Sequence, residues 1–155
     1  MNTTPEMYFQ YFVRENYFDF VRRPHDVRRA FNAAVSAFHM TDVFYEYSKR
    51  NEPAKIAAWP TRTKFVVHLS RSEPQFKIVQ SVATIYKHMY VARPYLDGAS
   101  PQSIQGVVDR DGVAVESGWS SSTGDSVTIR RRDGSEAPLT VALEHVVERM
   151  WPSLL

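Results

Sequence analysis

The sequence predicts an α+β protein that is mainly α: a bundle of about four helices, a small antiparallel β meander and a C-terminal helix. All nine Phe and all eight Tyr lie in the first 95 residues, and all six Gly lie between positions 98 and 134. Aromatic residues at helical spacing predict the helices, and β-branched runs separated by glycine turns predict the meander. We therefore predict one domain over residues 1–155, with the bundle at 1–97, the meander at 98–138 and the last helix at 139–155.

Prolines separate the predicted helices in the first part of the chain, where they mark helix ends. The first helix is predicted from about Thr4 to Arg22 and ends before Pro24. The second begins after Asp26, whose side chain suits an N-cap, and runs to about Lys49 along a stripe of apolar residues. These two helices are the first half of the predicted bundle.

Two further helices follow the connection 51–60. The third covers residues 61–71. Ser72 is predicted to cap the fourth, with Gln75 completing a capping box, and this helix continues to about Val91. The fourth helix is apolar over more than half of its circumference, which predicts a central position or an interface.

Period-two segments begin after Gly98. Strands are predicted at 103–108, 113–117 and 126–130, with hairpin turns between them. A small meander is marginal alone, so we expect it to pack against the bundle or the terminal helix. The last helix follows from apolar residues on one face: Leu143, Val146, Val147, Met150 and Leu154.

The composition excludes several classes of protein. The absence of cysteine excludes disulfides, thiolate metal sites and a cysteine nucleophile. No basic leader with an unbroken apolar core opens the chain, and no apolar run reaches the roughly 18 residues of a membrane helix. We therefore expect a cytoplasmic location. With 19 basic and 17 acidic residues, nucleic-acid binding is not implied by net charge, and no cofactor can be assigned.

Polar residues follow one flank of the apolar stripe of the second helix. They include Asn32, His39 and Asp42, and Asp42 is expected to be partly buried with His39 as its nearest partner. Lys87 and His88, late in the fourth helix, are candidates to join them. His39, Asp42 and His88 could bind a divalent metal, or His39 and Asp42 could form an acid–base pair. A structural polar network that fixes how the helices meet is the alternative that we favour.

Arg62 and His68 are separated by five residues on or just before the third helix. An arginine and a histidine one or two turns apart can bind a phosphodiester and transfer its proton, so this spacing suits RNA cleavage. A chance pairing is the competing explanation, because the chain contains fourteen Arg and five His.

The run from Ala30 to Asp42, followed one helix later by Lys87 and His88, resembles a pattern in small bacterial and prophage-borne proteins that are similar in outline to HEPN-type helical bundles. The resemblance covers about residues 8–92. Active HEPN nucleases carry an Arg-x(4–6)-His motif, whose spacing is met here by Arg62 and His68. The resemblance implies that the protein dimerises through the bundle. It also implies that the protein is either an active nuclease of this type or a catalytically silent relative.

Our leading hypothesis is that the protein functions by association. Whether it is an enzyme is left open. The protein would bind a second copy of itself, or a protein encoded nearby, as in toxin–antitoxin or phage-defence modules. The apolar fourth helix and the absence of a strong catalytic motif lead to this hypothesis. The alternatives are a ribonuclease that uses Arg62 and His68, and a metal-dependent enzyme that uses His39, Asp42 and His88.

Overall fold

Five helices and one small sheet make up the part of the chain that the computed structural model describes, residues 3–87, 104–108, 126–130 and 136–155. Helix α1 comprises Pro5–Tyr8, a π-helical stretch Phe9–Arg14 and Glu15–Arg22; α2 is Val27–Asn51; α3 is Arg62–Ser72; α4 is Pro74–Lys87; and α5 comprises Leu139–His145, a π-helical stretch Val146–Met150 and Trp151–Leu154. A 3₁₀ turn, Pro53–Ile56, follows α2. The mainly helical α+β prediction is confirmed. No helix in these ranges is long and apolar enough to cross a bilayer.

Side-chain caps fix the starts of the first three helices. The Thr4 hydroxyl accepts a hydrogen bond from a backbone N–H of α1 at 3.2 Å, and the Thr61 hydroxyl does the same for α3 at 3.2 Å. The Asp26 carboxylate accepts from the Arg29 N–H at 3.1 Å at the start of α2. Each cap satisfies a backbone donor that has no partner inside its helix. The predicted starts of the first two helices are confirmed.

The predicted cap of the fourth helix is wrong. Ser72 is the last residue of α3, and its hydroxyl donates to the His68 carbonyl at 2.9 Å. The carbonyl of Glu73 accepts from the Lys77 N–H at 3.2 Å, so Glu73 occupies the position before α4. Only Glu73 separates the two helices. Ser72 therefore keeps a helical backbone and cannot adopt the extended conformation of an N-cap.

Removal of the α2 cap is expected to destabilise the protein modestly. Asp26→Ala leaves the Arg29 N–H without its side-chain acceptor, and we expect the free energy of unfolding to fall by about 1 kcal/mol. Urea denaturation followed by circular dichroism at neutral pH measures this loss. A stability equal to that of the wild type would contradict the capping role.

The same carboxylate makes part of the stability depend on pH. Burial raises the pKa of Asp26, but hydrogen bonds from Arg29 and the charge of Arg28 outweigh it, so the pKa lies below its ordinary value. The charge therefore stabilises the fold fully above the unfolded pKa of about 3.9, and this contribution is lost as pH falls through the folded pKa. Asp26→Ser keeps a capping hydroxyl without the charge. We expect it to be about 0.5 kcal/mol less stable than the wild type at neutral pH, and the difference to disappear in acid.

The sheet has the order β1–β2–β3, with β1 at Ile104–Val108, β2 at Ser126–Arg130 and β3 at Glu136–Pro138. Both pairings are antiparallel. The strands predicted at 103–108 and 126–130 match β1 and β2, whereas the one predicted at 113–117 lies outside the described residues. Strand β3 was not predicted, because three residues are too few to show a period of two.

The sheet shares its core with the helices, as the sequence led us to expect. Val127, Ile129 and Ala137 are buried in the same cluster as the apolar face of α5. The Val127 N–H also donates to the carbonyl of Pro24, in the turn between α1 and α2, at 3.1 Å. The sheet therefore contacts both α5 and the turn between α1 and α2.

Helix α4 lies at the centre of the bundle, one of the two positions predicted from its apolar circumference. Its buried apolar residues are Phe76, Ile78, Val79, Val82 and Ala83. Helix α5 adds Trp151, the largest of the fully buried side chains in the described residues, whose indole N–H donates to the Ala37 carbonyl of α2 at 3.1 Å. The apolar face of the fourth helix is thus used inside the protein over the residues whose side chains are described.

Candidate functional site

A polar cluster joins the middle of α2 to the start of α3. The Asp42 carboxylate lies 3.0 Å from the Nδ1 atom of His39 through one oxygen, and its other oxygen accepts a hydrogen bond from the Arg62 guanidinium. Thr61 caps α3 and so places Arg62 in its first turn. All three clustered side chains are between 38% and 47% exposed. One carboxylate thus binds two basic side chains at the protein surface.

Asp42 and His39 are arranged as the sequence predicts, since Asp42 is partly exposed and His39 is its neighbour on α2. Arg62 was assigned to a different site, and its contact with Asp42 spans twenty positions in sequence. Tyr8 of α1 is also nearby: burial raises the pKa of its hydroxyl, and the negative charge of Asp42 raises it further. No local pattern in the sequence indicates the contact between Asp42 and Arg62 or the proximity of Tyr8 to Asp42.

The cluster suits an acid–base pair better than a metal ion. A histidine bound through Nδ1 to a carboxylate is oriented with its Nε2 atom available for proton transfer. The guanidinium of Arg62 occupies one carboxylate oxygen and adds a positive charge that repels a cation. No group of three metal-ligating side chains occurs in the described ranges. Because His88 lies outside them, the three-residue metal site stays a prediction.

Of the remaining residues of the predicted polar cluster, only Asn32 has a described side chain, and it makes no described contact with this site. Asn32 is exposed on α2, two turns before His39. Lys87 is the last residue of α4, and His88 lies outside the described residues. Among the described side chains, the cluster around Asp42 therefore joins His39 and Asp42 to Arg62.

His68 is placed away from Arg62. Six residues of α-helix turn through about 600°, so the two side chains leave α3 on different sides. The ring of His68 is exposed and lies 4.8 Å from the ring of Trp59, whereas Arg62 contacts Asp42. The ribonuclease site stays a prediction, and its two residues have separate surroundings in this structure.

An open groove of about 560 Å³ runs along the outer side of α3. Its described lining residues are Thr63, Lys64, Val67, His68, Arg71 and Ser72. They include two fixed positive charges, one histidine and two hydroxyl groups, and none is acidic. We call this surface the α3 groove. Basic and hydroxyl side chains of this kind are typical ligands of phosphate groups.

A second histidine–carboxylate contact joins α5 to the junction between α3 and α4. The Nε2 atom of His145 lies 2.7 Å from a carboxylate oxygen of Glu73, and both side chains are one-third exposed. These residues are 72 positions apart, and nothing in the sequence links them. The contact directs the charge of Glu73 towards α5.

Comparisons with protein-family models, with curated proteins and with solved structures found no match to this chain. The HEPN-type resemblance therefore receives neither support nor contradiction from them. Function has to be proposed from the surface of the molecule itself.

Proposed function

We propose that this protein acts by association with a second copy of itself through the outer face of α1. The observation that carries the proposal is a pair of adjacent exposed aromatic residues: Tyr11 is 66% exposed and Phe12 is 51% exposed. The ring of Tyr8 stacks on that of Phe12 at 5.2 Å. We call these three side chains the aromatic stripe. Aromatic side chains are enriched in protein interfaces, where their burial contributes much of the binding energy.

Charges along α1 favour a second copy as the occupant. Glu6 is exposed in the first turn, and Arg22 and Arg23 are exposed at the opposite end. Two antiparallel copies of α1 would place Glu6 of each protomer beside the arginines of the other. This self-complementary arrangement has the two-fold symmetry of most homodimers. Parallel copies would instead place like charges together.

The basis for self-association differs from the one that the sequence suggested. The apolar circumference of α4 led to that hypothesis, but its described apolar side chains are buried within the bundle. Within the aromatic stripe on α1, Tyr8 packs against the core, whereas Tyr11 and Phe12 are exposed. Their exposure replaces the apolarity of α4 as the support for association.

Loss of the aromatic stripe is expected to abolish the dimer. The wild type should elute as a dimer in size-exclusion chromatography with light scattering across the micromolar range. Tyr11→Ser combined with Phe12→Ser should elute as a monomer with an unchanged circular dichroism spectrum, because both side chains are exposed. Val141→Ser, which changes another exposed apolar residue on α5, is the control and should stay dimeric.

Charge reversal tests the antiparallel arrangement separately. Glu6→Arg should weaken the dimer, and Arg22→Glu with Arg23→Glu should weaken it to a similar degree. The three changes together should restore the wild-type dimer, because they exchange the two charged ends. A wild-type protein that is monomeric at every concentration would overturn the proposed function. A dimer that is insensitive to the aromatic changes would overturn this interface.

A further inference from the structure

We propose that the α3 groove binds the phosphate groups of a single-stranded nucleic acid, which is independent of self-association through α1. Lys64, His68 and Arg71 follow one another at intervals of four and three residues, so they lie on one side of the helix. Together they span about 10 Å along the helix axis. Lys64 and Arg71 thus place two fixed positive charges along the direction of an extended phosphate backbone, with the ring of His68 between them.

No carboxylate among the described residues pairs with the positive charges of the groove. Helix α3 contains no acidic residue between Arg62 and Ser72. In the part of the chain that the structure describes, neither Lys64 nor Arg71 forms an ion pair. Glu73, the next acidic residue along the chain, is bound to His145. Among the described residues, this surface therefore carries a local excess of positive charge, although the net charge of the whole protein is only +2.

An aromatic surface beside these cations favours a nucleic acid over an acidic peptide. Trp59 is held between two rings, with its ring centroid 5.1 Å from that of Phe65 and 4.8 Å from that of His68. The Tyr45 hydroxyl also donates to the Trp59 carbonyl at 2.9 Å, which fixes the backbone there. The Trp59 ring thus packs against the exposed ring of His68. Single-strand binding surfaces combine such stacking surfaces with a basic groove.

Each side chain has a distinct role in this binding surface. Lys64 and Arg71 bind phosphate oxygens as charged donors, and the hydroxyl of Thr63 donates to the same backbone. The ring of His68 stacks on a base. Every base has such a face, so the surface selects single strands without selecting a sequence.

Fluorescence anisotropy with a short fluorescein-labelled polyuridine tests the charged part of the proposal. Lys64→Gln combined with Arg71→Gln should weaken binding by about tenfold, and the slope of log affinity against log salt should fall by about 1.4, because two phosphate contacts are lost. Lys49→Gln combined with Arg50→Gln removes the same charge from an exposed end of α2. This control should bind within about twofold of the wild type and keep its salt slope.

His68 tests the stacking part of the proposal. His68→Ala should weaken binding by about tenfold without changing the salt slope, and His68→Phe should restore it. Absence of polyuridine binding by the folded wild type overturns the proposal, as does equal weakening by the Lys49/Arg50 control. Labelled polyglutamate or a duplex that binds as tightly as polyuridine would overturn the assignment to a single strand. None of these results depends on whether the protein dimerises.

Discussion

Replacement of Trp151 by alanine is expected to lower the free energy of unfolding by about 3–5 kcal/mol. The side chain is fully buried at the point where α5 meets α2, and its ring centroid lies 6.1 Å from that of Phe44. Alanine would leave a cavity and would remove the hydrogen bond to the Ala37 carbonyl. Urea denaturation monitored by far-ultraviolet circular dichroism measures the loss.

Two variants separate the contributions of Trp151. Trp151→Phe keeps most of the buried ring and removes the indole donor, so it should cost about 1–2 kcal/mol. Val141→Ala changes an exposed residue of the same helix and should alter stability by no more than about 0.5 kcal/mol. A loss below about 1 kcal/mol for Trp151→Ala would mean that α5 does not pack on α2 as described.

Phe65 is the second position where a large loss of stability is expected. Its ring is fully buried and lies within 6.1 Å of the rings of Phe44, Tyr45 and Trp59, measured between centroids. Phe65→Ala should lower the free energy of unfolding by about 3–5 kcal/mol, because these rings lose a shared partner. The same denaturation experiment measures this effect.

The Phe65 substitution should also change the environment of Trp59, which lies nearer the surface of the protein. Trp59 packs between Phe65 and His68, so loss of the Phe65 ring should change the fluorescence spectrum of the folded protein towards a more solvent-exposed indole. Val67→Ala, on the exposed side of the same helix, is the control and should leave both stability and fluorescence close to the wild type. An unchanged spectrum for folded Phe65→Ala would contradict this support for Trp59.

Helix boundaries were largely predictable because their causes are local. Thr4 and Asp26 cap helices whose apolar periodicity begins within the next turn, and Pro24 lies just after the end of α1. Ser72 shows where this reasoning fails. Its sequence context suits a cap, but α3 and α4 follow each other so closely that the residue remains in the preceding helix. Competition between two helices for one residue cannot be judged from a capping motif alone.

The aromatic residues of α1 illustrate a second limit. Tyr17 and Phe20 are buried, whereas Tyr11 and Phe12 are exposed. Each pair consists of one tyrosine and one phenylalanine, so residue type does not distinguish the buried pair from the exposed one. A helix with aromatic residues on several sides does not reveal which side faces the core, and the π-helical stretch Phe9–Arg14 changes the angular spacing further. The surface on which the proposed dimer rests was therefore not recognisable before the fold was known.

The sequence alone determined which of the described segments are helical and that β strands separate the last helix from the others, because periodicity, caps and turns act within a few residues. Only the tertiary structure decided which distant side chains meet. Asp42 binds Arg62, Glu73 binds His145 and Trp151 binds Ala37, across 20, 72 and 114 positions. Such pairs depend on how helices pack and rotate against each other, which local spacing does not specify. By contrast, the separation of Arg62 from His68 and the alignment of His68 with Lys64 and Arg71 follow from helical spacing within α3 itself.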